Sequence, residues 1–419
     1  MARPWFLREK LAPVLVVAAN LIFPSNSLLA DPFVRSFLTA LVEGARGTQR
    51  DLPKIIRASE SCAQRLVQGG DLFIASVRED FIAEGIVRSG GMMMIKPYRD
   101  ATKLSRGDCV VFGWSNSTAD QDGALAKKLG ASGAFVVGIG PKPARQSTGD
   151  VLANVASHLE SAPPLPREVL QRFGGEAYPL VSLQNLVLLW SFTGELVSAL
   201  TREGHMPTMY QSVLVTGARK RNAGLLDQRF HKGLIIPPIP AGQLGRNYFE
   251  KLAACLESLS RHEIPSIEKV AQASLATRKG GHKVHAWLIS HFPDLQPGAP
   301  GDPGWMHQLE RISGEVPTVA RVAEALKPGD LFFFLGYYRR PTDSYEVARK
   351  AGAKIAEVIA GTDVPETGRP LPDYVIHPHW TYGDSLVQVA NYDVTILPSS
   401  GIVQAAVWWS VIGAGSEGS

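Results

Sequence analysis

Cysteine is scarce and neither charge sign is in large excess. The 419 residues include three cysteines, Cys62, Cys109 and Cys255, which share no motif spacing. That excludes a disulfide framework and a cysteine-based zinc site. Lys and Arg number 43 against 39 Asp and Glu, for a formal net charge of +4. Nucleic-acid binders usually show a strongly basic domain or stripe, so no nucleic-acid partner is expected. Hydrophobic residues make up 45% of the chain, which excludes a disordered one. A chain of this length suggests two or three domains of roughly 150 residues.

The first thirty residues stand apart. Arg3, Arg8 and Lys10 precede an uncharged apolar run, 11–23, and then Ser25, Ser27 and Ala30. A positive start, a short apolar stretch and small residues are the layout of a secretory signal peptide. The run falls short of the roughly 20 apolar residues of a membrane span. Residues 1–30 are therefore expected to be a signal, with no membrane partner for the mature form. That implies a periplasmic or secreted protein, or a cytoplasmic one if the segment is instead a retained helix.

From residue 31 onward helical and strand-like patterns alternate. Residues 33–45 and 55–68 repeat apolar positions at helical spacing, and Gly69-Gly70 ends the second. Residues 71–76, 92–95, 109–114 and 134–140 read as strands, with helices at 82–88 and 121–129 between them. The second half repeats the order: a helix at 252–277, Gly280-Gly281, a strand at 282–290, a helix at 319–326, strands at 331–338 and 354–361 around a helix at 345–352. Gly107-Asp108 opens one strand and Gly329-Asp330 its counterpart, as in a diverged duplication. Such alternation predicts parallel sheets covered on both faces. The expected organisation is a first domain at 31–232, a Pro-rich link at 233–249 and a second domain at 250–419.

The segment 106–140 runs Gly-Asp, strand, Ser-Asn-Ser, helix, Gly-Ala, strand. With 61–76, 81–91 and the Gly-x-x-Pro turn at 203–207, it resembles the sugar isomerase (SIS) family, closest to its bacterial phosphosugar isomerase-like members. Ser212 and Asn222 continue the match. The likeness covers residues 33–230 well and 250–412 in outline. It implies α/β architecture: two flavodoxin-like three-layer α/β/α (SIS-type) domains with parallel sheets. It also implies a sugar or sugar-phosphate ligand, a homo-oligomer and no cofactor.

Ser115, Asn116, Ser117 and Thr118 lie between a strand end and a helix start, where hydroxyls, backbone N–H groups and a helix dipole can hold an anion. The resemblance implies that they hold a phosphate. The same residue types also cap helices. Ser76 and Arg78 on the first loop are expected to join them, with Arg78 either on the phosphate or paired with Asp120. Asp120 departs from the family pattern, which places a hydroxyl or amide there, and a carboxylate would repel a phosphate. Glu84 is the candidate catalytic residue. In the family a Glu here removes the proton beside the carbonyl, chemistry that a placed carboxylate can perform. A plain reading pairs it with Arg88 one helical turn on. The family's His on the long helix is missing; Glu195 and His205 lie on or just past that helix.

The second half has Tyr337, Tyr338, Arg339 and Arg340 where the hydroxyl loop stood, suited to an anionic ligand or an interface. His377, His379 and Asp384 would make a legal zinc set, but no third His is fixed by spacing, so no metal is assigned. Trp408 and Trp409 read as core residues. Three functions compete: a phosphosugar isomerase using Glu84, a non-catalytic sugar-binding tandem protein, and a metal-dependent hydrolase. N-terminal sequencing of the native protein should find a start at residue 28 or 31, and a retained Met1 rules out export by cleavage.

Overall fold

The computed structural model describes residues 32–143, 151–289, 291–309, 319–360 and 370–416. The expected signal at 1–30 lies outside them. The chain enters on α1 (Pro32–Gly47) and α2 (Leu52–Val67), each apolar on one face. Phe33, Phe37, Leu38 and Leu41 are buried along α1, and Ile55, Cys62 and Leu66 along α2. Gly69 then turns the chain at a φ of 100°, which glycine adopts freely.

The first sheet follows. Its elements are β1 (Leu72–Ser76), α3 (Glu79–Gly85), β2 (Ile95–Pro97), β3 (Cys109–Gly113), α4 (Ala119–Ala131), β4 (Phe135–Gly140) and β5 (Ser157–Glu160). The strands are parallel, in the order β2-β1-β3-β4-β5. Then come α5 (Arg167–Arg172), α6 (Tyr178–Arg202) and α7 (Ala218–Ala223).

The second half opens with α8 (Gln243–His262) and α9 (Ile264–Lys279). β6 (Val284–Leu288), β7 (Met306–Gln308), α10 (Val319–Ala325), β8 (Leu331–Leu335), α11 (Thr342–Lys350), β9 (Lys354–Val358) and β10 (Tyr374–Ile376) follow. Their parallel sheet is ordered β7-β6-β8-β9-β10, the first sheet's order again. An antiparallel pair, β11 (Ser385–Gln388) and β12 (Thr395–Pro398), leads into α12 (Ser400–Gly415). Both sheets thus carry the flavodoxin-like 2-1-3-4-5 order.

The two Gly-Asp pairs do one job twice. Asp108 accepts the N–H groups of Asp71 at 2.8 Å and Ser105 at 2.7 Å. Asp330 accepts those of Lys283 at 2.9 Å and Lys327 at 2.9 Å. Each carboxylate satisfies one donor at the start of the neighbouring central strand and one in the turn that leads into its own strand. Burial opposes ionisation of Asp108, yet these bonds hold its carboxyl below the usual range.

The layer between the sheets is shared. α8 packs on α1 and α6, and α12 packs on α9, α1 and α6. One apolar core therefore runs through both halves. Smaller cores cover the outer faces, Phe112 and Trp114 among α4 residues on one side, Trp287 and Phe334 with Tyr345 on the other. α6 has the length and apolarity of a membrane span, and it is buried inside this layer. Trp408 and Trp409 on α12 are core residues as expected.

Several boundaries differ from the sequence reading. The 252–277 helix is two helices that meet at Glu263, just before Pro265, a residue tolerated in the first helical turn but not in mid-helix. The link at 233–249 is helical from Gln243 onward. The helix at 82–88 instead spans Glu79–Gly85, and Val87 lies beyond it at a φ of 50°. The strand at 92–95 shifts to Ile95–Pro97. β5, β7 and β10 were not expected; all three are short edge strands. α3 is pressed onto the sheet at Gly113, where a Cβ would lie 2.5 Å from the Phe81 ring. Gly113→Ala should therefore cost about 1–3 kcal/mol, read as a lower urea midpoint; an unchanged midpoint contradicts the contact.

Candidate functional site

In open α/β sheets ligands collect outside the strand C-termini where the strand order reverses. Here that point lies between β1 and β3 in the first sheet and between β6 and β8 in the second. A crevice opens at each.

The first crevice is small and is lined by Ser76, Arg78, Ser115, Thr118, Ser182 and Asn185 among others. Four of the seven residues expected at the site thus meet in one place. Ser117 does not line the crevice, but its hydroxyl lies 2.6 Å from that of Ser115. Asn116 turns away and donates to the Lys142 carbonyl at 3.2 Å. Glu84 is elsewhere.

Arg78 is held by Tyr178 rather than by Asp120. Its Nε donates to the Tyr178 hydroxyl at 2.7 Å and to Asp80 Oδ2 at 3.2 Å. The Tyr178 hydroxyl donates to Asp80 as well. Gln296 from the second half adds a bond to Asp80 at 3.2 Å and receives one from Trp409 Nε1 at 3.1 Å. Asn185 donates to the Trp114 carbonyl at 2.9 Å, while its Oδ1 is buried without a hydrogen-bond partner. Phe292, also from the second half, completes the wall.

The carboxylate facing the hydroxyl loop is Asp122, not Asp120. Asp120 is exposed, whereas Asp122 is buried and accepts the Thr118 hydroxyl at 2.8 Å. Burial pushes the Asp122 carboxyl up to about 7, against the pull of the Thr118 bond. Near neutral pH this carboxyl can hold a proton, so the loop need not carry a full negative charge beside an anion.

Glu84 sits in a buried cluster that joins the halves. Its Oε1 accepts Arg88 Nε at 3.1 Å and Trp190 Nε1 at 3.3 Å. Arg88 Nη1 donates to the Tyr337 hydroxyl at 3.0 Å and lies 3.4 Å from Asp384 Oδ2. Arg88 Nη2 donates to Ser400 Oγ at 2.5 Å, and the Ser400 N–H reaches Asp384 Oδ1 at 2.8 Å. Glu84, Arg88 and Asp384 are each at most 2% exposed. Burial raises the Glu84 and Asp384 carboxyls, with Arg88 opposing in both. The Glu84–Arg88 pair is therefore real, but it is interior rather than on a helix surface.

Other expected residues have structural partners. Glu195 accepts the N–H groups of Gly242 at 2.6 Å and Gly245 at 2.8 Å, at the positive end of α8. His205 packs on Phe230. Arg340 pairs with Glu357 through two nitrogens, at 2.9 Å and 2.5 Å. His379 bonds Glu263 at 3.0 Å, and Asp384 belongs to Arg88, so the suspected zinc set does not assemble. Among the described residues no cluster of His, Cys, Asp and Glu could hold a metal.

Two parallel sheets of one order, packed through a shared helical layer with a crevice at each point of reversal, define a tandem α/β protein of two flavodoxin-like halves. No family model matches the chain. A UPF0309 protein of Geobacillus thermodenitrificans (strain NG80-2) is 27% identical over 197 residues, 39% of this chain and 79% of the relative. Among solved structures, the C-terminal domain of glucosamine-fructose-6-phosphate aminotransferase from Francisella tularensis aligns over 90% of this chain and 97% of its own, at 10% identity and a TM-score of 0.49. A proposed phosphosugar isomerase from Silicibacter pomeroyi DSS-3 aligns over 90% and 96%, at 12% identity and a TM-score of 0.44.

Asp122 gives a pH test. Its folded pKa lies above its unfolded value, so stability is fully present below about pH 4 and is lost as pH rises toward 7. Asp122→Asn should flatten that loss, and the variant should melt higher than wild type at pH 8. Parallel melting profiles between pH 4 and 8 would contradict this assignment.

Proposed function

We propose that the protein binds a sugar phosphate through the first crevice and acts as a binding module rather than an isomerase. One observation carries the reading: Ser76, Arg78, Ser115 and Thr118, marked in the sequence as anion ligands, line a single crevice at the reversal point of the first sheet. The donors suit a phosphate. Arg78 Nε is committed to Tyr178 and Asp80, which fixes the guanidinium plane and leaves its two terminal nitrogens toward an anion. The first turn of α4 adds backbone N–H groups at the positive helix end. Asn185 Oδ1, buried and unpartnered, offers an acceptor for a sugar hydroxyl.

The preference for binding over turnover rests on Glu84. Isomerisation needs a carboxylate against the carbon-bound proton. Glu84 does not line this crevice and is engaged by Arg88 and Trp190. Asp80, nearer the crevice, already accepts Arg78, Tyr178 and Gln296.

Titration calorimetry with glucose 6-phosphate and inorganic phosphate tests the reading. Both should bind, and Ser115→Ala or Arg78→Met should each weaken binding about 10–100-fold, the worth of a hydrogen bond to a charged group. Absence of binding by both ligands overturns the proposal. Exchange of the C2 proton of glucose 6-phosphate in heavy water should not be accelerated; acceleration that Glu84→Gln abolishes would restore the isomerase reading.

A further inference from the structure

The second crevice is much larger than the first, about 1740 Å³ counted out to its mouth. It sits beside the C-terminal ends of β6 and β8, the reversal point of the second sheet, where Ile289 and Tyr337 face residues of the first half. We infer that this crevice is a second ligand site, for a neutral or amino-bearing sugar that donates a hydrogen to Asp384.

Three independent features point there. First, Asp384 lines the crevice, is 1% exposed, and its Oδ2 has no hydrogen-bond partner; the nearest cation, Arg88 Nη1, lies 3.4 Å away outside hydrogen-bonding geometry. A buried acceptor of that kind calls for a donor. Second, Asp384 is the one carboxylate among the lining residues, which also include Arg88, Arg219 and His291. Arg88 is already engaged by Glu84, Tyr337 and Ser400. At Asp384 the crevice therefore recognises a hydroxyl or ammonium donor. Third, the backbone is strained on both sides of Arg88's contacts. Val87 has a φ of 50° and Asp384 a φ of 67°. For a β-branched residue that conformation is an outlier, and such strain gathers at ligand sites.

The walls fit the apolar face of a sugar ring. Val87 is 62% exposed, Leu226 58% and Val213 49%, three large apolar side chains left open to the same space. Tyr210 and Tyr337 add ring faces. Asn222 fixes the loop that carries Tyr210, holding Gln211 by two bonds, at 3.0 Å and 2.8 Å.

Titration with glucose and with glucosamine at millimolar concentration tests the site. At least one should bind wild-type protein. Tighter binding of glucosamine assigns an ammonium donor to Asp384, and equal binding assigns a hydroxyl. Asp384→Asn keeps the shape and a residue suited to positive φ, but puts an amide donor where Oδ2 accepted. It should weaken binding at least tenfold. Val87→Gly removes the strain and one apolar wall, and should lower affinity without lowering the melting temperature. Ser115→Ala should leave this binding unchanged, which separates it from the phosphate crevice. The inference is overturned if neither sugar binds, if both crevice variants bind like wild type, or if Ser115→Ala abolishes the signal.

Discussion

The guanidinium of Arg88 is the constraint on which the joining of the two halves turns. It follows α3 of the first half and reaches Tyr337 at the end of β8, Asp384 before the β11–β12 pair, and Ser400 at the start of α12. A buried charge without partners costs several kcal/mol, and removing one member of such a network commonly costs about 3–5 kcal/mol. The chain around it is shaped to fit. Gly401 lies so close that a Cβ there would sit 2.4 Å from Glu84 Oε1. Val87 and Asp384 hold unfavourable backbone angles beside it. A few polar contacts thus set the register of two halves whose apolar packing alone would tolerate some sliding.

That register explains why both crevices are composite. Phe292 and Gln296 bring the second half to the first crevice, directly and through Asp80. Val87 and Arg88 bring the first half to the second crevice. Topology supplies two openings of one kind, and the opposite half decides what each can hold. The first gathers hydroxyls and an arginine near a helix start. The second sets a buried carboxylate, Asp384, among apolar walls, with Arg88, Arg219 and His291 also on its lining. The chemical difference lies in the side chains delivered and not in the fold.

Much of the fold could be read from residues alone, because the cues were local. Apolar runs between glycines marked six of the ten sheet strands closely, and the repeated Gly-Asp marked equivalent places in the two sheets, where Asp108 and Asp330 make matching hydrogen bonds. The hydroxyl loop was legible for the same reason: strand, polar turn and helix are neighbours in sequence. What stayed hidden depends on distant partners. Arg88 and Asp384 are far apart in sequence, and only the fold brings them together. β5 and β7 are short edge strands with no apolar run. Asp120 drew attention as the family departure, yet helical phase exposes it and turns Asp122 inward. The break at Glu263 has a local cue, Pro265, inside apolar periodicity that runs on either side of it.

The shared helical layer has a consequence for how such a molecule can change. In a pair of identical subunits every substitution appears twice, so neither copy of a site can alter without the other. Here the halves are covalently one chain and no longer alike, although they keep one strand order and one packing core. Covalent fusion releases each opening from its twin while the common core still holds them in fixed relation. A chain built this way can retain an ancestral pocket on one side and explore new chemistry on the other, with geometry conserved and symmetry given up.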